Sequence, residues 1–255
     1  MNKQLIIAHR GESYLAPENT LTAINLAWEL GADAIEVDIR LTKDKQIAVF
    51  HDANTKRITG RYKRIKNTNL EELQKLDAGK YKSEKYIGEK IPTLGEVLKT
   101  VPDGKKILIE IKSGREIIPF LNGVIKESKL QENQIEIICF NLNVLKNVRK
   151  QTPQLPTFWI LALDYYWIQK MVHPSISRII QKASKHKLSG LDLWAGKRID
   201  NKLLSKIKKA NLRIYTWTVD NPEQAQNLLN MGVHGITTNR AGWMKDQLNK
   251  FQKTN

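Results

Sequence analysis

The chain has 255 residues, 41% of them hydrophobic and 27% charged, which is typical of a soluble globular protein with a full core, built as one α/β barrel or two small domains. The single cysteine, Cys139, excludes an internal disulfide, and no apolar run approaches the ~20 residues that span a bilayer. The formal net charge of +16 favours anionic partners such as phosphate esters, nucleic acid, teichoic-type polymers or acidic lipid head groups, unless the lysine-rich surface is composition alone.

The chain begins with a short apolar strand, predicted over residues 4–8, that ends at His9-Arg10-Gly11. This run is far too short for the core of a signal peptide, so we expect a cytoplasmic protein. The segment Pro17-Glu18-Asn19-Thr20 opens a predicted helix, because proline suits a helix start and acids are favourable in the first turn. Apolar residues then recur at helical spacing until Gly31 ends the helix.

The second predicted strand, residues 34–39, carries two acids on one face. Alternate side chains of a strand share a face, so Glu36 and Asp38 project together while their apolar neighbours pack on the other side. Buried carboxylates this close repel each other, so one takes a proton or a cation lies between them. A later strand repeats the pattern with Glu110 and Lys112. Three oxygen ligands without cysteine indicate Mg²⁺ or Ca²⁺, although salt bridges at strand ends would give the same pattern.

A hairpin follows the second strand. Residues 42–45 form a turn-like polar cluster, and residues 46–52 form another extended run. The centre of the turn, near Asp44, is about equally far from Asp38 and His51 along the chain. We therefore expect these two residues to lie opposite each other, which would return His51 to the acids.

The next segment, residues 53–90, is polar and poorly periodic, and residues 56–66 contain six cations and no acid. It is too long for a plain connecting loop. We therefore predict a single catalytic domain, residues 1–255, with a small inserted subdomain or lid at residues 53–90. The alternative is that these residues form a solvated, lysine-rich segment without a functional role.

Beyond the insertion the chain alternates strands and helices, interrupted by an irregular aromatic stretch at residues 165–167. With the return strand of the hairpin left out, there are eight strand–helix units. This repetition predicts a (β/α)8 TIM barrel with a hairpin and an insertion after the second strand, and with functional residues where strands end. The candidates that share these ends are His9, Arg10, Glu36, Asp38, Glu110, Lys112 and Trp217.

The same residues lie in motifs that together resemble the glycerophosphodiester phosphodiesterase family over nearly the whole chain. In chain order the motifs are His9-Arg10-Gly11, Pro17-Glu18-Asn19-Thr20, Gly31-Ala32-Asp33, Ile35-Glu36-Val37-Asp38, Thr42-Lys43-Asp44, His51-Asp52, Ile91-Pro92-Thr93-Leu94, Ile109-Glu110-Ile111-Lys112 and Trp217-Thr218-Val219-Asp220.

The resemblance implies a metal-dependent hydrolysis of glycerophosphodiesters to sn-glycerol 3-phosphate and an alcohol. Glu36, Asp38 and Glu110 would bind one divalent cation, Mg²⁺ or Ca²⁺. His9 and His51 would be the catalytic acid–base pair, since an imidazole titrates near neutral pH. We assign His9 as the base and His51 as the acid, and the reverse assignment stays open.

The resemblance also implies that Arg10 and Lys112 hold the phosphate and that Trp217 lines the pocket for the glycerol moiety. Two departures from the family pattern concern turns. Lys45 occupies a position where glycine is common, and Thr238-Asn239-Arg240 lacks a proline that often follows.

Other functions remain open at this stage. Within the enzyme class, a lysophospholipase D or a polyglycerophosphate (teichoic-type) phosphodiesterase would suit the basic insertion, with a lipid head group or an anionic polymer as partner. Outside it, the charge would suit a binding module for an anionic polymer. The chain has no recognisable nucleic-acid motif, so we expect no nucleic acid as partner.

Two further groups of aromatic and imidazole side chains carry weaker expectations. The histidines that lack acidic company are expected to be structural, and several tryptophans allow a broader aromatic rim. These residues are His173, His186 and His234, and Trp159, Trp167 and Trp194.

Overall fold

The computed structural model describes residues 3–164 and 175–253, and its centre is a closed parallel barrel. Eight strands pair side by side in the order β1-β9-β8-β7-β6-β5-β4-β2, and β1 also pairs with β2, which closes the barrel. The predicted (β/α)8 TIM barrel is therefore confirmed. The strands are β1 Leu5–His9, β2 Ala34–Leu41, β3 Ile47–Val49, β4 Lys106–Ile111, β5 Ile135–Cys139, β6 Thr157–Leu161, β7 Gly190–Trp194, β8 Arg213–Trp217 and β9 Gly235–Thr238.

Helices cover the outside of the barrel. The described helices are α1 Leu21–Glu29, α2 Lys56–Thr59, α3 Leu70–Gln74, α4 Leu94–Leu98, α5 Ile118–Glu127, α6 Leu142–Gln151, α7 Ile176–Lys185, α8 Asn201–Lys209, α9 Pro222–Asn230 and α10 Ala241–Lys253. Short 3-10 helices span Ile65–Asn67, Glu84–Tyr86, Arg115–Ile117 and Glu132–Gln134. The predicted aromatic stretch at residues 165–167 lies outside the described residues. None of the helices among the described residues is long and apolar enough to cross a membrane.

Helix α1 begins later than predicted. Its N-cap is Thr20, whose hydroxyl accepts a hydrogen bond from the Ala23 N–H at 3.2 Å. Asn19 has a positive φ of 59°, which a helical residue cannot adopt. The segment that starts at Pro17 is therefore a turn that precedes the helix.

The hairpin of β2 and β3 is displaced by one residue from its predicted register. Ile39 pairs with Val49, and the Phe50 N–H donates to the Asp38 carbonyl at 2.8 Å. Asp38 therefore lies opposite Phe50, and the predicted pairing of Asp38 with His51 is wrong. The reason is the turn. The Thr42 N–H donates to the Gln46 carbonyl at 2.9 Å, which centres the hairpin on Asp44 itself. Asp38 and Phe50 are equally far from this centre, and His51 lies one residue beyond. His51 follows the paired region directly.

The barrel interior is apolar at its middle and polar at both ends. Buried Glu136 closes the N-terminal end, because it accepts hydrogen bonds from Arg213 and from the Tyr215 hydroxyl, both at 2.8 Å. An apolar middle layer of side chains lies between the two ends. Alternate residues of a strand share a face, so Glu36, Glu110 and Trp217 project from the same face as this layer, at the C-terminal end. The residues of the middle layer are Ile7, Ala34, Leu108, Ile138, Phe158, Ile160 and Tyr215.

The segment at residues 53–90 packs against the hairpin through its own apolar cluster. The segment contains α2 and α3, and its side chains pack against Ala48, which lies in β3, and Phe50, which follows β3 directly. The segment is therefore attached to the side of the barrel where His51 leaves β3. The other members of the cluster are Ile58, Ile65, Leu73, Leu76, Ala78 and Ile91.

Candidate active site

Three acidic side chains meet at the C-terminal end of the barrel. Glu36 and Asp38 lie on β2 and Glu110 lies on β4, where the parallel register sets Asp38 beside Glu110. All three are buried, and one carboxylate oxygen from each lies within 4.8 Å of the others. The structure thus brings together the three acids that the sequence analysis singles out.

The three carboxyls do not share one charge state. Burial, and then the proximity of Asp38 and Glu110, raises the pKa of Glu36 well above its usual value. Burial and Asp38 also raise the pKa of Glu110 to about 7. Burial opposes the ionisation of Asp38 too, but Arg10 and Lys112 lower its pKa to about 2. The cluster therefore holds one firm negative charge and two carboxyls that bind protons readily.

The cluster fits a divalent cation. Oε1 of Glu36 is buried, and none of the described residues forms a hydrogen bond with it. An unsatisfied buried oxygen costs about 1–3 kcal/mol, and the repulsion between the carboxylates adds to that cost. A hard ion such as Mg²⁺ or Ca²⁺ prefers oxygen ligands, so Glu36, Asp38 and Glu110 together could hold one.

Two cations border the acids. Arg10 Nε lies 3.1 Å from Asp38 Oδ2, and Arg10 Nη1 donates to Glu18 Oε1 at 2.9 Å. Lys112 Nζ lies 2.7 Å from Glu110 Oε1 and 3.2 Å from Asp38 Oδ1. Burial opposes both positive charges, but the neighbouring acids outweigh it and raise the pKa of Arg10 and of Lys112. Both side chains therefore remain charged beside the carboxylates.

The loop between β1 and α1 is held in an uncommon backbone conformation. Arg10 and Asn19 have positive φ values of 58° and 59°, which cost a non-glycine residue about 1–2 kcal/mol. Asn19 Nδ2 donates to Asp38 Oδ2 at 2.9 Å, and Asn19 Oδ1 accepts the Asp38 N–H at 3.1 Å. Gly11 is required, because a Cβ there would lie 2.6 Å from the backbone carbon of Ala23. The strained loop thus orients Arg10 and fixes Asp38.

His9 is a neutral imidazole with one free nitrogen. Its Nδ1 lies 2.7 Å from Oδ1 of Asn239, while the Asn239 amide nitrogen donates to Asp220 at 2.6 Å. Because the amide oxygen faces the ring, Nδ1 carries the hydrogen. Burial, assisted by the charge of Arg10, lowers the pKa of His9 to about 4. The unprotonated Nε2 lies 3.9 Å from Glu36 Oε2.

His51 has the same tautomer for a different reason. Its Nδ1 lies 2.6 Å from Oδ1 of Asp52, and a carboxylate only accepts hydrogen bonds. Asp52 also accepts from Arg57 Nε at 2.7 Å, and Arg57 Nη2 donates to Glu18 at 2.8 Å. Burial lowers the pKa of His51, partly offset by Asp38. Nε2 of His51 is thus left free for proton exchange.

A cavity of about 180 Å³ joins these groups to the opposite side of the barrel. On that side Asp192 and Thr237 are buried, and neither Asp192 Oδ1 nor Thr237 Oγ1 has a hydrogen-bond partner among the described residues. Burial raises the pKa of Asp192 well above its usual value, which favours the neutral form of its carboxyl. The lining residues are His9, Arg10, Glu36, His51, Glu110, Lys112, Ile138, Phe140, Ile160, Asp192, Trp217 and Thr237.

The sequence analysis assigns no role to four polar residues of this site. Asp192 could have been found, because Gly190-Leu191-Asp192-Leu193-Trp194 places an acid between apolar residues, as in the strand of Glu36. Nothing in the sequence pairs Asn239 with His9 or Arg57 with Glu18, since these contacts join distant parts of the chain. Thr237 resembles any other threonine of a buried strand.

The aromatic side chains form a small cluster at one wall of the cavity. The ring of Trp217 lies 5.6 Å from Phe140 and 5.0 Å from Trp194, both nearly perpendicular to it. Trp159 does not line the cavity, and its Nε1 donates to the Phe140 carbonyl at 3.0 Å. Trp167 lies outside the described residues. The broader aromatic rim is thus limited to Trp217, Phe140 and Trp194 where the structure describes it.

The two other histidines among the described residues, His186 and His234, lie apart from the cavity. His234 Nδ1 accepts the Ile214 N–H at 3.1 Å, and His186 is the C-cap residue of α7. Both have the structural setting that the sequence analysis expects. His173 lies outside the described residues.

The fold and the site together define a class of protein. Active sites of TIM-barrel enzymes lie at the C-terminal end of the strands, where this cavity opens. Cations that face oxygen ligands, beside two imidazoles, suit the hydrolysis of phosphate esters, since the reaction needs charge stabilisation and proton transfer. The protein is therefore a barrel hydrolase of this type.

Comparison with known proteins identifies the family. The sequence profile of the Glycerophosphoryl diester phosphodiesterase family matches residues 9–243. A glycerophosphodiester phosphodiesterase of Caldanaerobacter subterraneus subsp. tengcongensis is 36% identical over 253 residues, covering 92% of this chain and 94% of that protein. Protein YhdW of Bacillus subtilis is 36% identical over 236 residues, covering 91% and 93%. A phosphodiesterase from Oleispira antarctica, solved in complex with the product sn-glycerol-3-phosphate, is 27% identical with a TM-score of 0.87 and 96% coverage of both chains. The chain belongs to the glycerophosphoryl diester phosphodiesterase family.

Proposed function

We propose that the protein hydrolyses glycerophosphodiesters to sn-glycerol 3-phosphate and an alcohol with the help of one divalent ion, Mg²⁺ or Ca²⁺, held by Glu36, Asp38 and Glu110. The observation that carries this proposal is a cluster of three buried carboxylates, two of which line one cavity together with two imidazoles. The Oleispira antarctica neighbour in complex with sn-glycerol-3-phosphate supports the same product. When bound, the ion supplies positive charge to the phosphate oxygens.

Arg10 and Lys112 would hold the phosphate. Both line the cavity, and both are charged groups whose ion-pair partners are the carboxylates of the cluster. A guanidinium binds two phosphate oxygens at once, and the ammonium adds a point charge. Negative charge gathers on the equatorial oxygens as the transition state forms, so these contacts would strengthen during the reaction.

His9 would act as the base and His51 as the acid. With a pKa of about 4, His9 is neutral at physiological pH. Its free Nε2 would take the proton of the attacking water or, on a route through a cyclic phosphate that water then opens, of the substrate's glycerol hydroxyl. His51 is more exposed, with 32% of its side chain accessible against 19% for His9. Burial lowers its pKa, but the Asp38 and Asp52 carboxylates oppose that shift and favour its protonated form. Protonated His51 would deliver its Nε2 proton to the oxygen of the leaving alcohol as the P–O bond breaks.

The glycerol moiety would lie against the wall formed by Trp217, Asp192 and Thr237. The tryptophan ring offers an apolar face for the carbon chain. The carboxyl of Asp192 and the hydroxyl of Thr237 have unused hydrogen-bonding atoms in residues that line the same cavity. Buried polar atoms of this kind are satisfied when a hydroxyl-bearing ligand enters.

The inserted segment at residues 53–90 would form a lid that orients the acid. Its residue Arg57 bonds both Asp52, the partner of His51, and Glu18, the partner of Arg10. A movement of the segment would therefore alter the surroundings of both proton-transfer and phosphate-binding groups.

A product assay tests the proposal. The purified chain is given glycerophosphocholine, lysophosphatidylcholine or poly(glycerol phosphate), with a chelator and then with Mg²⁺ or Ca²⁺ restored. We expect sn-glycerol 3-phosphate from glycerophosphocholine, loss of the activity with the chelator, and recovery with one of the ions. Cleavage of the lysolipid or the polymer alone would favour the lysophospholipase D or teichoic-type alternative. An inert protein that binds the polymer in a strongly salt-dependent manner would contradict the proposal and favour the binding module.

A further inference from the structure

A second cleft lies beside the candidate active site. It has a volume of about 600 Å³ and runs between the β2–β3 hairpin, the inserted segment and the loop after β4. Lys112 lines both this cleft and the active-site cavity. The lining residues are Arg40, Leu41, Thr42, Lys45, Ala53, Asn54, Tyr62, Arg64, Ile65, Lys66, Lys112, Ser113, Gly114 and Glu116.

The cleft carries a net positive charge, of which the acids of the active site neutralise only the part on Lys112. Five of its lining residues are cations and one, Glu116, is an acid. Three of the cations, Lys45, Arg64 and Lys66, form no ion pair with any described residue. Arg64 Nε donates only to the hydroxyl of Tyr62, at 3.0 Å. Like charges gathered in a concave site repel one another, and a bound anion relieves that repulsion.

Arg40 connects the cleft to the catalytic groups. Its Nε and Nη2 donate to the carbonyl of His51 at 2.8 and 2.6 Å, and Nη1 donates to the carbonyl of Lys112 at 3.4 Å. These partners are neutral, and none of the described carboxylates forms an ion pair with this guanidinium. An anion in the cleft would thus lie next to the backbone that positions His51 and Lys112.

Hydrogen bonds from backbone amides of the hairpin fix the walls of the cleft. The Leu41 N–H donates to Ser113 Oγ at 2.9 Å, which joins the hairpin to the loop after β4. The Lys43 N–H donates to Thr68 O at 3.1 Å, which joins the hairpin to the inserted segment. A site that is formed before the ligand arrives loses less entropy on binding than one that the ligand must order.

We propose that this cleft binds a second phosphate group of the substrate, carried by the alcohol that leaves. The inference rests on the proposed function, because the first phosphate must lie between Arg10 and Lys112. Phosphate is the anion that suits the cleft, since guanidinium and ammonium groups both bind its oxygens and Tyr62 adds a hydroxyl donor. The preferred substrates are then glycerophosphodiesters with a further phosphate on the alcohol, such as short chains of glycerol phosphate.

The test compares two substrates that differ only in this group. One is glycerophosphoglycerol, and the other carries a phosphate monoester on the distal glycerol. We compare wild type with the variant K45Q/R64Q/K66Q and with the control K99Q/K126Q/K150Q, which removes the same charge from exposed positions outside both cavities. Wild type should prefer the phosphate-bearing substrate in kcat/KM. The ratio of kcat/KM for the two substrates should be about tenfold smaller in the cleft variant and unchanged in the control.

The outcomes distinguish free phosphate from a phosphate carried by the substrate. They also distinguish failure of this inference from failure of the proposed function. Calorimetric titration with inorganic phosphate alone shows whether free phosphate fills the cleft. If the cleft variant loses that binding while wild type treats both substrates equally, the cleft serves free phosphate and the inference is overturned. Equal preference in all three proteins, or loss of preference in the control as well, also overturns it. If wild type cleaves neither substrate with either ion present, the proposed function itself fails.

Discussion

At the scale of single residues, Asn239 determines which nitrogen of His9 is available for chemistry. Its amide nitrogen is committed to Asp220, so its oxygen faces the ring and Nδ1 holds the hydrogen. Asp52 has the same effect on His51. The two imidazoles thus present Nε2 to the cavity, and each partner residue acts through the histidine that it orients.

Changing Asn239 to Asp should move the acid limb of the pH–rate profile. Asn239 already raises the pKa of His9 through its hydrogen bond, against a larger effect of burial that leaves the value at about 4. A carboxylate in its place favours the imidazolium and raises that pKa further. A base is active when neutral, so the rate should begin to fall at a higher pH, by at least about one unit. We would measure kcat at saturating Mg²⁺ or Ca²⁺.

The control for this variant is Ser13→Ala. The Ser13 hydroxyl also donates to Asn239 Oδ1, at 3.2 Å, but the exchange adds no charge. Its profile should match that of wild type. An unchanged acid limb in the Asn239→Asp variant would remove His9 from the role of base.

Two threonines of neighbouring strands form a matched pair for the hydroxyl-binding wall. Thr237 and Thr216 are both buried, with hydroxyls that lack a partner among the described residues, but only Thr237 lines the cavity. Thr237→Val should raise KM for glycerophosphocholine about three- to tenfold, the worth of one hydrogen bond. Thr216→Val should leave KM within about twofold. Equal effects of the two changes on KM would show that Thr237 does not contact the substrate.

At the scale of secondary-structure elements, the repeated pattern of strands and helices is enough to predict the barrel. The alternation of acid and apolar residues in β2 also identifies Glu36 and Asp38, because a buried strand has few other uses for two acids on one face. Hairpin register is harder to predict, because it depends on which turn residue adopts a positive φ. Lys45 does so, at 64°, and Asp38 consequently faces Phe50.

Contacts between distant elements are the part of the site that the sequence does not reveal. Asn239 follows β9 and reaches His9 after β1, because the closing pair of the barrel brings these ends together. Arg57 reaches Glu18 only when the inserted segment packs against the loop between β1 and α1. Such pairings depend on how the barrel closes, which the local pattern of each strand leaves unspecified.

The turn of the hairpin offers a test of the strain at Lys45. Lys45→Gly should raise the free energy of unfolding by about 1 kcal/mol, because glycine adopts a positive φ without steric cost. Lys43→Gly in the same turn should lower it by about 0.5–1 kcal/mol, since only chain entropy changes there. Urea titration measures both. A loss of stability in Lys45→Gly would show that its side chain contributes more than the backbone costs.

At the scale of the whole molecule, the acid cluster links stability to both protons and metal. Without an ion, the folded protein raises the pKa of Glu110 to about 7 and that of Glu36 well above its usual value. At pH values between the unfolded-state pKa of 4.5 and these raised pKa values, the folded state binds more protons than the unfolded state. This contribution to the free energy of unfolding is therefore present at low pH and lost as pH rises. A bound divalent ion replaces those protons and should reverse the loss.

Thermal unfolding at two pH values tests this linkage. Adding Mg²⁺ or Ca²⁺ in large excess over its dissociation constant should stabilise the protein by about 2.7 kcal/mol or more, a rise in Tm of about 5 °C or more. The rise should be larger at pH 8 than at pH 5.5, because protons compete with the ion at the lower value. An equal rise at both values would place the ion away from these carboxyls.

The measurement that tests the central claim most directly is calorimetric titration of Mg²⁺ and Ca²⁺ into the wild-type chain and into Glu110→Gln, alongside the rate of glycerophosphocholine hydrolysis. Glu127→Gln, which changes an exposed acid on α5 outside both cavities, is the control. The account predicts one ion per chain in wild type and in the control. It also predicts that Glu110→Gln loses ion binding and hydrolysis together, with a fall in rate of at least about a hundredfold. Full hydrolysis by Glu110→Gln without ion binding would contradict it.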